Sequence, residues 1–480
     1  MADSRVSGQR PDRRAFLRLG AASCGAALAA KRVMAAEPPP RARGTQPNII
    51  LIYTDDLGYG DLGCYGSDLP TPNLNAMARE GVVFQQFCSA SAVCSPARAA
   101  LLTGRYPTRV GVPEVLQPTD AGGLSLEEST LADTLRSAGY STMCVGKWHL
   151  GCTPDYMPTR RGFDQFYGLP YSNDMTPLPL IQNTTVIEQP AQQSTLTQRY
   201  TNQATAFIAS ARQRRFFLYM PHTFPHIPLA ASARFAGKSG FGLYGDAVAE
   251  IDWSVGQILG ALKDNGIDDN TLVMFSSDHG PWFAGSSGGL RGRKGETWEG
   301  GMRVPFVARF PGRIPAGRVC TSFATTMDIL PTVARLCSAR LPAAPLDGCD
   351  IWPLLSAGRD AEDPADRGAF LYFDGWNLQC ARLGPWKLHL ARNNTPPWIV
   401  LPAGWRQNLR LANPELYHLE TDPAESCDVA GSNPQMVASI LAMVEGMIPS
   451  FPEPVGTQWR QTMAAPGIYC ASGGWPSAPA

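Results

Sequence analysis

The residue with the clearest chemical context is Cys94, which opens a Cys-Ser-Pro-Ala-Arg segment followed by small and apolar residues. Ser95 can cap a helix, Pro96 suits its first turn and Gly104 ends it, so we predict a helix here. Cys94 would then lie at a positive helix N-terminus, where an anionic oxygen is favoured. Arg98, one turn further on, offers a guanidinium fork for a tetrahedral oxyanion. Taken alone, the segment also fits a redox thiol or a buried cysteine.

Side chains suited to metal binding, anion binding and proton transfer follow four apolar, strand-like runs. They are Asp55 and Asp56 after residues 48–54, Lys147 and His149 after 141–145, His222 and His226 after 215–220, and Asp278 and His279 after 271–275. Four of the six histidines of the chain fall in these segments. Any one of these residues alone would commonly cap a strand or turn a loop. Because all four strand ends carry them, we predict one shared site.

Helical patterns alternate with these strand-like runs. Residues 125–137 begin with a capping box formed by Ser125 and Glu128, and Gly139 ends the pattern. Residues 246–263 carry apolar side chains on one face and stop shortly before a glycine. Such alternation implies a parallel or mostly parallel sheet covered on both faces. Ligands of these sheets bind beyond the carboxyl ends of the strands, where the polar residues are expected to lie.

The Cys94 segment, with its Thr-Gly-Arg continuation, resembles the signature of the sulfatase family, in which the cysteine is oxidised to formylglycine. Other segments that resemble family motifs stand in the expected order. They are Asp55-Asp56, Gly146 to Gly151, Pro225 to Pro228, Ser277 to Gly280, Lys294 to Gly301 and Glu415 to Pro423. The similarity is greatest to the arylsulfatase A-like branch. It implies an alkaline-phosphatase-like α/β fold, with a large mixed sheet sandwiched by helices and a smaller C-terminal subdomain built on an antiparallel sheet.

The resemblance also implies a calcium ion and a covalent mechanism. The implied metal ligands are Asp55, Asp56, Cys94 after its conversion, Asp278 and His279. His279 either binds the metal through nitrogen or forms a hydrogen bond beside it. Hydrated formylglycine attacks the sulfur of a sulfate ester, the alcohol leaves with inversion, and sulfate remains on the enzyme. A second hydroxyl then loses its proton, and sulfate is eliminated as the aldehyde re-forms.

For sulfate binding, the resemblance assigns Lys147, Lys294 and Arg98 to the sulfate oxygens, where positive charge opposes the charge that develops in the transition state. Both lysines lie in glycine-flanked segments that match family motifs, which disfavours their interpretation as solvated surface lysines. Ser172 matches a sulfate-contacting serine of the same branch, and it is equally compatible with a simple turn.

For proton transfer, the resemblance assigns two histidines. His149 accepts the proton of the second hydroxyl, and His226, helped by Lys294, protonates the departing alcohol and contacts the substrate. His222 and His226 both follow the third strand-like run. Because the motif Pro-His-Ile-Pro contains His226, we expect His222 to be a loop or substrate-side residue.

Composition bounds the domain organisation and the partners. The chain has 480 residues, too many for one compact core, and its 41 basic and 41 acidic residues cancel. That balance indicates neither a nucleic-acid partner nor a membrane surface. We predict a catalytic domain over residues 46–360 and a C-terminal subdomain over 368–480, joined by a charged linker at 358–367. Strands of the subdomain are expected at 370–373, 386–390 and 416–419.

Residues 1–36 resemble a twin-arginine export signal, with paired arginines, a weakly apolar run and a small-residue cleavage site. A transmembrane anchor is disfavoured because the apolar run is only twelve residues long. Lipid attachment at Cys24 is a further alternative. The prediction is a bacterial protein exported to the periplasm or the medium, which depends on the twin-arginine machinery and on a formylglycine-generating enzyme.

The chain has 12 cysteines, and ten remain besides Cys24 and Cys94. Their spacing is not that of a structural metal site. An exported protein can pair some of them, whereas a protein that folds in a reducing cytoplasm keeps them as small buried hydrophobes. Both alternatives stay open.

Two other functions also stay open. A phosphate or phosphonate ester hydrolase can use the same formylglycine and metal site on phosphorus, and a non-catalytic protein can bind sulfated glycans on a retired enzyme fold. The combination of Lys147, Lys294, His149 and His226 favours a sulfatase that acts on a sulfated small molecule or glycan, as an aryl or carbohydrate sulfate.

Overall fold

The computed structural model describes residues 46–356, 367–396, 399 and 405–468. The predicted export signal at 1–36, with Cys24, lies outside the described residues, as does nearly all of the predicted linker at 358–367. The boundary between the predicted domains 46–360 and 368–480 stays a prediction. Within the described ranges, no helix combines the length and the apolar character needed to cross a membrane.

A ten-stranded mixed sheet lies at the centre of the described part of the chain. In chain order its strands are β1 (Asn48–Thr54), β2 (Val82–Cys88), β3 (Ser141–Lys147), β4 (Gln165–Leu169), β5 (Leu180–Gln182), β6 (Thr185–Glu188), β7 (Phe216–Pro221), β8 (Thr271–Ser277), β9 (Phe306–Arg309) and β10 (Arg318–Thr325). Across the sheet the order is β10-β2-β9-β8-β1-β7-β3-β4-β5-β6. Strands β8, β1, β7, β3 and β4 run parallel, whereas β9 and β5 run antiparallel to both of their neighbours. The expected mixed α/β sheet is confirmed.

The sequence of β1 explains its central position. Every residue of this strand is buried. Ile49, Leu51 and Tyr53 belong to one hydrophobic core, and Ile50 and Ile52 belong to the core on the other face. Successive side chains of a strand point to opposite faces, so a continuous apolar run is what a strand covered on both sides requires.

Helices cover both faces of this sheet, as the sequence predicted. One core contains residues of α2 (Cys94–Thr103), α3 (Leu131–Ser137), α7 (Ile329–Leu336) and α8 (Trp352–Ser356). The opposite core contains residues of α1 (Pro72–Arg79), α4 (Leu196–Ala211) and α5 (Gly242–Asp264). A one-turn helix, α6 (Glu299–Met302), precedes β9.

A second, four-stranded sheet lies towards the C terminus of the described residues and is antiparallel, with the order β11-β12-β13-β14. Its strands are β11 (Phe370–Asp374), β12 (Asn377–Leu383), β13 (Trp386–Asn393) and β14 (Asn408–His418), and they share a third core with α9 (Pro434–Met447) and α10 (Glu453–Ala464). The sequence predicted parts of β11, β13 and β14 but missed β12. In β12 the polar residues Gln379 and Arg382 are buried beside the apolar ones, which hides the alternation that marks a strand.

The helix that precedes β3 begins later than predicted. Thr130 and Asp133 form its capping box, instead of Ser125 and Glu128. Thr130 Oγ1 accepts a hydrogen bond from Asp133 N at 3.1 Å, and Asp133 Oδ2 accepts one from Thr130 N at 3.0 Å. The Glu128 carboxylate pairs instead with Arg105, a partner that local spacing does not reveal.

We expect Thr130→Ala to lower the free energy of unfolding by about 1–2 kcal/mol, because it removes the cap of α3. It also removes the hydrogen bond that Thr130 Oγ1 donates to the Arg161 carbonyl at 3.0 Å. Ser125→Ala is the matched control and should change this free energy by less than about 0.5 kcal/mol. Urea unfolding followed by circular dichroism measures both variants. Equal losses in the two variants would contradict the assignment of the cap to Thr130.

Candidate active site

Four neighbouring parallel strands bring the predicted polar residues to one edge of the large sheet. Strands β8, β1, β7 and β3 are adjacent in that order, so their carboxyl ends lie side by side. Asp278 directly follows β8, Asp55 directly follows β1, and Lys147 is the last residue of β3. The predicted convergence of these segments is therefore present in the fold.

Cys94 is the first residue of α2 and is only 3% exposed. Gly104 adopts the left-handed conformation (φ 67°) at the end of the helix, as predicted. The predicted cap at Ser95 is wrong, because Val93 occupies the N-cap position and no side chain caps the helix there. The Ser95 hydroxyl instead accepts a hydrogen bond from the backbone N–H of residue 116 at 3.1 Å. The uncapped first turn leaves positive helix dipole beside Cys94.

Donor atoms suited to a hard cation surround the Cys94 sulfur. One ligand atom each of Asp55, Cys94, Asp278 and His279 lie within 4.8 Å of one another, and all four residues are buried. Asp56 Oδ2 is also buried, and it has no hydrogen-bond partner among the described residues. A carboxylate oxygen left in that state is unfavourable unless a cation binds it. Three carboxylates, one of which has an oxygen without a partner in the described residues, fit calcium, which prefers oxygen ligands.

His279 completes this cluster with one ring nitrogen. Its Nδ1 lies 2.9 Å from the carbonyl oxygen of Gly280, so Nδ1 carries a proton and donates it there. Its Nε2 faces Asp56 at 3.5 Å and Asp278 at 3.4 Å, and lies 3.3 Å from Cys94 Sγ. Burial lowers the pKa of His279, but Asp278 and the other negative groups outweigh it and raise the pKa to about 9. The field at this nitrogen therefore attracts a positive charge, and the tautomer suits a metal-bound imidazole.

Two lysines compensate the carboxylates from the cleft side. Lys147 Nζ is fully buried and donates hydrogen bonds to Asp55 and, at 3.0 Å, to Ser172 Oγ. Lys294 Nζ donates to Asp56 Oδ1 at 2.7 Å. Burial opposes the charge on Lys294, but Asp56 and its neighbours raise the pKa of this ammonium group above its usual value. Lys294 is therefore a charged group at the site.

Arg98 lies behind the carboxylates and is fully buried. Its guanidinium donates to Asp278 Oδ2 at 2.9 Å and to the Lys147 carbonyl at 2.9 Å, and it lies 3.5 Å from Asp55. Neither Arg98 nor Lys147 is part of the lining of the cleft, but Lys147 donates a hydrogen bond to Ser172, which is. This geometry favours a role in orienting Asp278 over the direct contact with an oxyanion that the sequence predicted.

The electrostatic balance at position 94 favours an anion. Burial and Asp55 raise the pKa of the Cys94 thiol, but Lys147, Lys294 and His279 outweigh them and lower it to about 6. The low pKa shows that the surrounding cations stabilise a negative charge on the atom attached to Cβ of residue 94. The same preference would apply to an ionised oxygen at that position.

His149 lies in the wall of the cleft as a neutral imidazole. Its Nε2 donates to the carbonyl oxygen of Leu116 at 3.0 Å, while its buried Nδ1 has no partner in the described part of the chain. Burial, followed by the charges of Lys147 and Arg98, holds the pKa of His149 well below its usual value. The residue also adopts a left-handed backbone (φ 62°), which is uncommon outside glycine. The lone pair of Nδ1 is therefore available to accept a proton.

The structure separates the two histidines that follow β7. His226 lines the cleft, where its Nδ1 faces the carbonyl oxygen of Ile227 at 2.5 Å and Asn173 Oδ1 at 3.1 Å, and its Nε2 lies 3.8 Å from Asp56 Oδ2. His222 is fully buried, and burial lowers its pKa to about 3. Its backbone N–H still bonds to Tyr53 in β1 at 2.7 Å, which keeps the residue inside the sheet layers. His222 thus lies in the connection after β7, as one of the two expected alternatives has it, but it does not line the cleft.

Five of the predicted residues line one cleft of about 540 Å³, namely Cys94, His149, Ser172, His226 and Lys294, whereas the other predicted residues are not part of its lining. Sequence reasoning missed the rest of the lining, which is Val115, Gln117, Pro118, Asp174, Met175 and Thr176. It also missed the role of Asn173 as the partner of His226. The position of Asn173 and Asp174 directly after Ser172 was an available signal, whereas residues 115–118 carry no pattern that announces a site.

No disulfide joins the described cysteines, which are Cys64, Cys88, Cys94, Cys144, Cys152, Cys320, Cys337, Cys349, Cys380 and Cys427. Besides Cys94, five of them are buried, namely Cys88, Cys144, Cys320, Cys337 and Cys380, whereas Cys427 is exposed.

Comparison with known proteins adds an independent observation. A family model described as Sulfatase matches residues 47–339. Human (Homo sapiens) arylsulfatase A is 38% identical over 445 residues, which cover 82% of this chain and 86% of that protein. N-acetylgalactosamine-6-sulfatase of Canis lupus familiaris is 40% identical over 410 residues, which cover 78% of this chain and 75% of that protein.

Solved structures agree with this assignment. The PsFucS1 sulfatase from Pseudoalteromonas sp. superimposes with a TM-score of 0.75 at 26% identity, covering 85% of this chain and 90% of that one. The phosphonate monoester hydrolase of Agrobacterium radiobacter shares the fold at a TM-score of 0.56 and 21% identity, covering 86% of this chain and 96% of that one. The family model spans the large sheet, and the two curated relatives align with most of the chain. The chain therefore belongs to the sulfatase family and is a sulfuric ester hydrolase.

Proposed function

We propose that this sulfatase uses Cys94, converted to formylglycine, as its nucleophile and binds a calcium ion beside it. The observation that carries the proposal is the position of the Cys94 sulfur in the cleft wall, 3.5 Å from Asp55 and 3.3 Å from His279. The sulfur stands in for the formylglycine oxygen, since both atoms are bonded to Cβ. The hydrate of formylglycine has two hydroxyl groups. One would attack the sulfur of the ester, and the other would remain for the later release of sulfate.

Four protein residues would hold the calcium ion, with the oxygen at position 94 as a further ligand. They are Asp55, Asp56, Asp278 and His279, whose donor atoms converge as described. When bound, calcium supplies positive charge that favours the ionised form of the attacking hydroxyl and polarises the sulfate group. Arg98 is then a positioning residue, because its 2.9 Å bond fixes the orientation of the Asp278 carboxylate.

Lys147, Lys294 and Ser172 are the proposed sulfate contacts. Each ammonium group has three N–H donors, so Lys147 and Lys294 can keep their bonds to Asp55 and Asp56 and still donate to a sulfate oxygen. Ser172 Oγ accepts a hydrogen bond from Lys147 at 3.0 Å, which leaves its own proton for the substrate. The contact between the two side chains supports a sulfate-binding role for Ser172 over a simple turn.

Two histidines are proposed for the proton transfers. The Nδ1 atom of His149, unpartnered among the described residues, would accept the proton of the second hydroxyl as sulfate is released. The Nδ1 atom of His226 faces two acceptors, the Ile227 carbonyl and Asn173 Oδ1, which leaves Nε2 for protonation of the departing alcohol. Asn173 is therefore a positioning residue that holds the ring of His226.

The substrate class follows from the relatives and the cleft. Similarity to proteins named arylsulfatase A and N-acetylgalactosamine-6-sulfatase supports an aryl or carbohydrate sulfate as substrate. A cleft of about 540 Å³ is within the range usual for small-molecule sites. Export through the twin-arginine route and maturation by a formylglycine-generating enzyme stay predictions from the sequence.

Conversion of Cys94 can be measured directly by mass spectrometry of the tryptic peptide that contains it. In protein from its own host, or co-expressed with a formylglycine-generating enzyme, we expect a mass about 18 Da below that of the thiol peptide. Cys94→Ala should abolish turnover of an aryl sulfate without unfolding the protein. An unmodified thiol in active, correctly matured protein would contradict the proposed nucleophile. An unmodified thiol in inactive protein would favour the sulfated-glycan-binding alternative.

Sulfate and phosphate esters with the same leaving group distinguish the proposal from its enzymatic alternative. We expect kcat/KM for 4-nitrophenyl sulfate to exceed that for 4-nitrophenyl phosphate by at least about 10²-fold, since the second charge of a phosphate monoester must enter a site balanced for one. Steady-state assays on one matured preparation measure both. Faster turnover of the phosphate or of a phosphonate monoester would favour the alternative hydrolase.

Removal of calcium should lower both activity and stability. A chelator is expected to lower kcat/KM by at least about tenfold, and excess calcium should restore it. A ligand that binds only the folded state stabilises it, so saturating calcium should also raise Tm. At a calcium concentration a hundredfold above Kd, the free energy of unfolding should rise by about 2.7 kcal/mol. Asp56→Asn removes the charge of the carboxylate whose Oδ2 is unpartnered in the described residues and should abolish most of that rise. A Tm that does not respond to calcium in the parent enzyme would contradict the metal site.

A further inference from the structure

The segment from Glu415 to Pro423, which resembles a family motif, leads into a turn that presents one buried carboxylate. Asp422 builds the turn, since its Oδ2 accepts hydrogen bonds from the backbone N–H groups of Ser426 at 2.8 Å and Cys427 at 2.9 Å. Glu425 follows within this turn, adopts a left-handed backbone (φ 55°) and is fully buried. Such a backbone conformation is unfavourable for a glutamate. None of these residues lines the cleft.

The Glu425 carboxylate contacts both the start of α6 and strand β13 of the antiparallel sheet. Its Oε2 accepts a hydrogen bond from the backbone N–H of Glu299 at 2.6 Å, at the start of α6. Its Oε1 lies 2.9 Å from Lys387 Nζ and 2.7 Å from His389 Nε2, both in β13. The single carboxylate therefore joins the antiparallel sheet to the segment that precedes β9.

Lys387 makes the same connection from the strand. Its ammonium group is fully buried and donates to the Thr297 carbonyl at 2.8 Å and to Glu299 Oε1 at 3.1 Å. Glu299 is also paired with Arg303 at 2.7 Å, so two cations balance two carboxylates in this cluster. Fully satisfied buried networks of this kind hold one geometry, and a missing partner leaves an uncompensated charge.

The segment that this cluster holds is the one that carries Lys294. Lys294 lies three residues before Thr297, and its backbone N–H bonds to the Pro281 carbonyl at 3.1 Å. The next N–H, of Gly295, bonds to the carbonyl of Ala92 at 2.8 Å, two residues before Cys94. The cleft end of the loop is thus tied to the nucleophile segment, and its other end is tied to the second sheet through Thr297 and Glu299.

We propose that Glu425, held by Lys387 and His389, is a positioning residue that sets the location of the Lys294 ammonium group in the cleft. This inference rests on the proposed role of Lys294 as a sulfate contact. It gives the C-terminal sheet a part in catalysis although that sheet contributes no residue to the described lining of the cleft. Displacement of a charged group by about 1 Å can lower a rate by up to 10²-fold, so a distant clamp is able to control turnover.

A double-mutant cycle between Glu425 and Lys294 tests the proposal. Glu425→Gln keeps the size of the side chain and its acceptor for the Glu299 N–H, but removes the charge that pairs with Lys387. In the parent enzyme, matured and saturated with calcium, we expect Glu425→Gln to lower kcat/KM for 4-nitrophenyl sulfate by about tenfold. In the Lys294→Ala background the same substitution should lower it by less than about twofold, because the group it positions is already absent. The loss of Tm should be the same in both backgrounds.

Asp252→Asn is the matched control for a buried carboxylate that does not contact this loop. Asp252 is 2% exposed and accepts hydrogen bonds from Asn73 and Leu74 at the start of α1. It should lower Tm and leave kcat/KM within about twofold of the parent. If Glu425→Gln fails to fold, Lys387→Met is the second variant, with the same expected cycle.

The outcomes separate this inference from the proposed function. Equal losses from Glu425→Gln in the two backgrounds would overturn the positioning role, since the carboxylate would then act independently of Lys294. If Lys294→Ala itself leaves kcat/KM unchanged, the proposed sulfate contact fails, and the positioning role fails with it. A tenfold loss that disappears in the Lys294→Ala background supports both.

Discussion

The cleft depends on one constraint, which is that carboxylates buried together must be compensated by positive charge. Asp55, Asp56 and Asp278 are at most 1% exposed, and unpaired carboxylates in such surroundings are strongly unfavourable. Lys147 and Lys294 provide part of the compensation from the cleft side. This arrangement places cations at the proposed sulfate site, and it leaves Asp56 Oδ2 without a partner in the described residues. The need to satisfy buried charge thus makes the site suited both to a hard cation and to sulfate.

The topology of the large sheet explains how so many charges come together. Strands β8, β1, β7 and β3 are neighbours and parallel, so the residue after each strand reaches the same edge. The strands themselves are buried on both faces by two helical layers, which leaves their ends as the place where polar groups can meet solvent and substrate. Cys94 joins them from the N-terminus of α2, where the helix dipole adds positive potential.

The antiparallel sheet is connected to the site by buried charged residues, and none of its described residues lines the cleft. Lys387 and Glu425 lie with Glu299 in a cluster of paired charges between that sheet and the loop that carries Lys294. The same physical rule therefore operates twice in the molecule. In the cleft it concentrates charge for chemistry, and at the junction with the second sheet it connects the loop that carries Lys294 to β13.

The sequence by itself determined the features that depend on local pattern. The apolar run of β1, the polar residues after four strands and the spacing around Cys94 predicted the sheet, the edge and the members of the site, because each is set by residue type and periodicity over a few positions. The tertiary structure alone decided between candidates with the same local pattern. Thr130 caps α3 instead of Ser125, and Arg98 bonds to Asp278 behind the lining of the cleft. Each of these choices is made by a partner distant in the chain, such as Arg105 for Glu128 or Asp278 for Arg98, and no local periodicity carries the position of such a partner.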